Sequence, residues 1–184
     1  MPSILDPLVD KQGGARKGAA WYRNAVASIA DRVSARRLMN QGRLLGRPSV
    51  GRLNMFFYDP KYKKTLPYYD TFPLVLPIER YNNGFLGINL HYLSIPMRIR
   101  LLDRITEFSN NDRFDKSTAI VADYSRLKNI DLIKPCLKRY LAGYVKSKFR
   151  KVEADEFMVA TLLPVQRFKK QSDNYVFGKS RGMV

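Results

Sequence analysis

The side chains that could carry chemistry are few. There is one histidine, His91, and one cysteine, Cys136, so one copy of the chain can build neither a multi-histidine metal site nor a disulfide framework. His91 stands in the alternating run Asn89-Leu90-His91-Tyr92-Leu93, which turns it toward solvent or the following loop, and no nucleophile motif accompanies it. Cys136 shares a helical spacing with Ile133, Leu137 and Tyr140, the setting of a small buried hydrophobe. Asp59, Asp70, Glu79 and Asp103 are carboxylates that a magnesium-dependent nuclease would need to bring together. Their spacing follows no metal motif, and a turn before Pro60 for Asp59 and an ion pair with Arg80 for Glu79 are the better readings. Neither a phosphate-binding Gly-Lys-Ser/Thr loop nor a three-glycine dinucleotide fingerprint occurs. These residues point to a protein that is not an enzyme and uses no cofactor, metal or small-molecule substrate.

Charge is the stronger signal. The 184 residues hold 33 Lys and Arg against 16 Asp and Glu, a net charge of +17, which calls for an acidic partner, either nucleic acid or an acidic protein surface. The first 52 residues carry ten basic and three acidic side chains. Candidate polyanion- or partner-binding residues there are Arg16, Lys17, Arg23, Arg32, Arg36, Arg37, Arg43, Arg47 and Arg52, the last three in a glycine-interrupted linker. A second group is Lys138, Arg139, Lys146, Lys148, Arg150 and Lys151. These lie on the polar faces of a helix expected from Asp131 to Val152, whose apolar stripe is Ile133, Leu137, Tyr140, Leu141, Tyr144 and Val145. That helix is the best single candidate for an electrostatic docking surface.

The elements that must position these residues divide the chain into four parts. Residues 1–18, broken by Pro2, Pro7 and Gly13-Gly14, read as an extended arm. Residues 19–52 read as one amphipathic helix, to about Asn40, followed by the basic linker. Residues 53–168 form a compact α+β domain with a small antiparallel, barrel-like sheet and packed helices, and residues 169–184 a basic C-terminal tail. Within the domain, Leu53–Tyr58 is a strand, and Thr71–Ile78 is a second that Pro73 and Pro77 confine to an edge or a bulge. Asn82-Asn83-Gly84 marks a hairpin with left-handed turn residues. Ser94-Ile-Pro96 opens a helix carrying Leu101, Leu102, Ile105 and Phe108. Phe72–Ile78 and the similar proline-broken run ending Leu163-Pro164-Val165 read as neighbouring strands of one sheet or as a weak internal repeat.

Aromatic and basic side chains interleave between residues 56 and 81: Phe56, Phe57, Tyr58, Tyr62, Tyr68, Tyr69, Phe72 and Tyr81 among Lys61, Lys63, Lys64 and Arg80. Such a mixture suits a stacking platform for single strands, but the apolar runs alternate so poorly that core packing is the favoured reading. No apolar run approaches the roughly 18 residues of a membrane span, and no secretory signal pattern opens the chain, so a reducing cytoplasm, or a particle assembled there, is the expected location.

Three segments, Met55-Phe-Phe-Tyr-Asp-Pro-Lys, Thr65-Leu-Pro-Tyr-Tyr-Asp-Thr-Phe-Pro-Leu-Val-Leu-Pro-Ile and Gly84-Phe-Leu-Gly-Ile-Asn-Leu-His-Tyr-Leu, resemble small proteins of large contractile-tailed bacteriophages. The resemblance implies a virion setting, in the neck, portal, tail or baseplate, with basic arms joining other virion proteins in a symmetric assembly or meeting packaged DNA. The alternative is a stand-alone basic nucleic-acid-binding protein of phage replication or DNA end protection.

Overall fold

The computed structural model describes residues 3–13, 17–113 and 115–184. Its centre is an open six-stranded antiparallel sheet in the order β1-β7-β2-β4-β5-β6. The strands are β1 (Arg43–Leu45), β2 (Asn54–Met55), β4 (Leu74–Tyr81), β5 (Gly84–Asn89), β6 (Leu137–Leu141) and β7 (Phe149–Lys151), with β1 and β6 as free edges. A second, two-stranded sheet joins β3 (Tyr69–Asp70) to β8 (Phe168–Lys169). Seven helices complete the described residues: α1 (Asp6–Gln12), α2 (Ala19–Ala27), α3 (Ala35–Asn40), α4 (Ile95–Thr106), α5 (Tyr124–Leu127), α6 (Phe157–Leu162) and α7 (Asp173–Arg181). None of them is long and apolar enough to cross a membrane.

Both faces of the sheet are covered, which explains the poor alternation of its strands. Leu74, Leu76 and Met55 point into the main core with Leu101, Leu102, Ile105 and the whole of α6, while Val75 and Phe56 point to the opposite face. There, Phe56, Tyr58, Phe85, Tyr140 and Phe149 form a separate aromatic cluster, with Phe85 and Tyr140 stacked at 5.2 Å. Pro77 of β4 behaves as its missing amide requires: the pairing with β5 shifts by a bulge between Pro77 and Glu79.

The hairpin forms where Asn82-Asn83-Gly84 places it, with Tyr81 paired to Gly84. Its two asparagines do not take left-handed angles; the unusual residue is Gly84, at φ 155°. A Cβ there would lie 1.9 Å from the Tyr140 carbonyl oxygen, so glycine is needed for β6 to approach β5.

Five expected elements differ. Residues 131–152 are not a helix: a 3-10 turn (Asp131–Ile133), β6, a second 3-10 turn (Ala142–Tyr144) and β7 replace it. The stripe that suggested a helix includes two tyrosines and the β-branched Ile133 and Val145, and the edge of β5 offers Leu137–Leu141 a five-residue register, so tertiary pairing overrides local spacing. The helix expected from Ala19 to Asn40 is broken between Ala27 and Ala35, where Ser34 accepts from the Arg37 amide at 3.2 Å and starts α3 afresh. Both terminal arms carry helices that reach the core, through Leu5 and Leu8 of the first and Val176 of the last. The run before Pro164 is helix α6 rather than a strand neighbouring β4; the pairing falls instead between β3 and β8.

Candidate nucleic-acid interface

The candidate cations separate into three environments. Lys17, Arg23, Arg32, Arg36, Arg37, Arg43 and Arg47 are exposed, as are Lys146 and Lys148 in the connection before β7. Arg16 lies outside the described residues. Arg32 and Arg37 donate to the carbonyls of Ser28 and Arg32, at 3.3 and 3.2 Å, which orients them along one short helical stretch. A second group is occupied by Glu153: Arg52 meets it at 3.4 Å and Lys151 at 2.9 Å. Arg150 is fully buried and bonded to the Gln41 carbonyl, the Ser3 hydroxyl and Glu156. It cannot meet a polyanion, and with it the expected docking helix dissolves into an edge strand, a loop and a core residue.

The third environment is a cleft of about 490 Å³ running along the free edge of β6. One wall is the segment 60–69, which presents Lys61, Tyr62, Tyr68 and Tyr69; the other is β6, which presents Lys138 and Arg139, with Tyr92 between them. Tyr62 is 60% exposed. The Lys138 ammonium lies 4.1 Å from the centre of the Tyr92 ring, and the Arg139 guanidinium 4.0 Å from that of Tyr81. Burial pushes the Lys138 amine down from its ordinary range. Tyr81 also lines a neighbouring hollow of about 530 Å³ with Arg47 and Arg80, so Arg139 links the two. The wall at 60–69 is fixed from behind: Lys170, at φ 72°, donates to the Lys64 and Leu66 carbonyls at 3.0 and 2.7 Å, and Tyr68 packs edge-on against Phe168 and Tyr175.

Of the eight interleaved aromatics, Phe56, Tyr58 and Phe72 are buried and Phe57 is partly so, as the core reading expects. Tyr62, Tyr68 and Tyr69 go to the cleft instead. The carboxylates do not converge. Asp59 pairs with Lys63 at 2.8 Å, and Glu79 accepts from the Tyr81 hydroxyl at 2.8 Å rather than pairing with Arg80, which donates to the Pro48 carbonyl. Among the described residues no group of three or more His, Cys, Asp or Glu is placed to hold a metal ion.

Beneath the cleft floor lies a buried dyad that the local alternation missed. His91 is fully buried, with Nδ1 2.8 Å from Asp70 Oδ2. Asp70 also accepts from Asn89 at 3.3 Å and from the amides of Phe72 and Arg167 at 2.9 and 3.1 Å. Burial pushes the Asp70 carboxyl up, but the hydrogen bonds it accepts from His91 and from the Phe72 and Arg167 amides outweigh it and hold it below the usual range. Burial pushes His91 down despite Asp70, so at neutral pH the ring is neutral and donates through Nδ1. With both folded values lowered, the unfolded chain takes up protons first as pH falls. Stability is then full above about pH 6.5 and declines below it through His91, and again below about 4 through Asp70. Because the chain has one histidine, the first decline is assignable. Urea midpoints at pH 8 and pH 5 should differ for the wild type and differ less for His91→Asn, and an equal difference in both would refute the assignment.

A family model described as "Phage T4 terminal DNA protecting protein" matches residues 11–181. The match takes in α2 and α3, both sheets, the cleft and α7. The chain belongs to this family. No curated protein and no solved structure matches it. Membership in the T4 terminal DNA protecting protein family agrees with the resemblance to proteins of large contractile-tailed phages. For a member of this family the cleft is the feature that sequence reasoning did not assemble. Its tyrosines and lysines at 58–69 are visible as a mixture, but Lys138 and Arg139 reach them only because residues 137–141 are an edge strand.

Proposed function

We propose that this chain binds the ends of linear DNA and shields them from exonucleases by occupancy, with no reaction of its own. The observation that carries this reading is the family match over residues 11–181, to a model described by the protection of terminal DNA. The exposed cations of α2 and α3 and the basic, tyrosine-lined cleft support it, since phosphate contacts supply affinity and aromatic faces accept bases. The family match favours end protection over a place in the neck, portal, tail or baseplate, for which it offers no support.

Linear and circular forms of one plasmid, incubated with the protein and then with an exonuclease acting on duplex ends, test the proposal. The linear form should survive many-fold longer with protein than without, and affinity should fall with salt at a logarithmic slope of about 0.9 per phosphate neutralised. The triple variant Arg23→Ala, Arg36→Ala, Arg37→Ala should lower that slope by up to about 3 units. Unchanged digestion together with equal affinity for linear and circular DNA would overturn the reading.

A further inference from the structure

We propose that the cleft between segment 60–69 and β6 receives the terminal nucleotide of one strand, unstacked from the duplex end. This deepens the end-binding reading and rests on it.

Size is the first argument. A cleft of about 490 Å³ falls in the range of roughly 300–1,000 Å³ typical of small-ligand sites, ample for a nucleotide. A duplex, whose major groove alone is about 12 Å wide, cannot enter it. Whatever part of the DNA end occupies the cleft has to leave the helical stack, and that costs least where the base is already single-stranded or poorly held.

The lining matches such a guest. Tyr62 presents a ring that is 60% exposed, with Lys61 5.3 Å from its centre, so a base stacking on it would bring its phosphate beside an ammonium. Lys138 faces the Tyr92 ring and has no carboxylate partner among the described residues. It is a partly desolvated cation next to an open cavity, and a phosphate oxygen would supply the counter-charge that the protein does not. The one carboxylate in the lining, Asp70, is saturated by four donors from His91, Asn89, Phe72 and Arg167. The rigidity of the wall, held by Lys170 and by the Tyr68 packing, means that little order has to be imposed on binding. An interior base, stacked on both sides, offers none of this, so the cleft would discriminate ends from interior.

The test uses the full chain and duplexes carrying 2-aminopurine at the terminal position or ten pairs inward, with blunt, single-nucleotide-overhang or hairpin-closed ends. Emission from the terminal probe should change on binding and that from the interior probe should not. Tyr62→Ala, at an exposed position that leaves the fold alone, should weaken binding to open ends about ten- to a hundredfold. It should leave binding to hairpin-closed duplex unchanged, and Tyr62→Phe should restore open-end binding. Wild-type protection of ends combined with an unmoved terminal probe and an unaltered open-to-closed ratio in Tyr62→Ala would overturn the cleft while sparing end binding. Equal wild-type affinity for open and closed ends would overturn both.

Discussion

Arg98→Ala should destabilise the protein by about 3–5 kcal/mol, a large part of the roughly 5–15 kcal/mol that holds a domain of this size together. Arg98 is fully buried on α4, and its guanidinium reaches the carbonyls of Leu93 at 2.8 Å, Thr161 at 3.3 Å, Leu163 at 3.4 Å and His91 at 3.4 Å, with Gln166 Oε1 at 3.0 Å. Thr161 and Leu163 lie at the end of α6, where carbonyls have no partner within the helix. One side chain therefore caps α6, ties it to the turn that carries His91, and reaches the strand-like segment leading to β8. Burial pushes Arg98 down to about 10, still well above neutral pH, so the charge stays and alanine would strand its acceptors in a cavity. Arg98→Lys should recover only part of the loss, because one ammonium cannot span five acceptors. Urea unfolding measures both, and a loss below about 1 kcal/mol for Arg98→Ala would mean that water replaces the guanidinium.

Arg98 also shows what a sequence conceals. On α4 the apolar period of Leu101, Leu102 and Ile105 was legible, as were the Ser94-Ile-Pro96 entry, the hairpin around Asn82 and Asn83, and the bulge that Pro77 demands. Each of these is encoded within a few residues. Arg98 itself looks like any other surface cation of a basic chain, because its acceptors come from residues 91–93 and 161–166. The same limit hid His91: its alternation is local, whereas Asp70, which fixes it inside, is 21 residues away. The cleft failed to appear for a third reason. Residues 137–141 satisfy both a helical and an extended pattern, and the choice is made by the unpaired edge of β5. Once β6 is a strand, Lys138 leaves a helix face for the Tyr92 ring and Arg139 for that of Tyr81, and a diffuse positive charge becomes a site with walls.

Arg150→Ala should cost a comparable 3–5 kcal/mol while leaving the salt dependence of DNA binding by the folded protein unchanged. Arg150 sits on β7, paired to both β1 and β2, with Nη2 3.2 Å from Glu156 Oε1 and 3.1 Å from the Ser3 hydroxyl, and Nε 3.2 Å from the Gln41 carbonyl. It is thus the knot between the sheet, the entry to α6 and the segment that opens the chain. Gly42, at φ 85°, lets the backbone close over it; a Cβ there would stand 2.9 Å from Nε. Burial pushes the Glu156 carboxyl up, and Arg150 opposes that, so removing the guanidinium leaves an acid that is driven toward its neutral form. Arg150→Met with Glu156→Gln, which removes both charges, should regain much of the stability lost by Arg150→Ala. A phosphate-contacting residue would behave in the opposite way: its removal would spare stability and reduce the salt slope by about 1. Urea unfolding and salt-dependent binding on these two variants and the wild type separate the two roles, and a reduced slope with intact stability would place Arg150 back on the DNA.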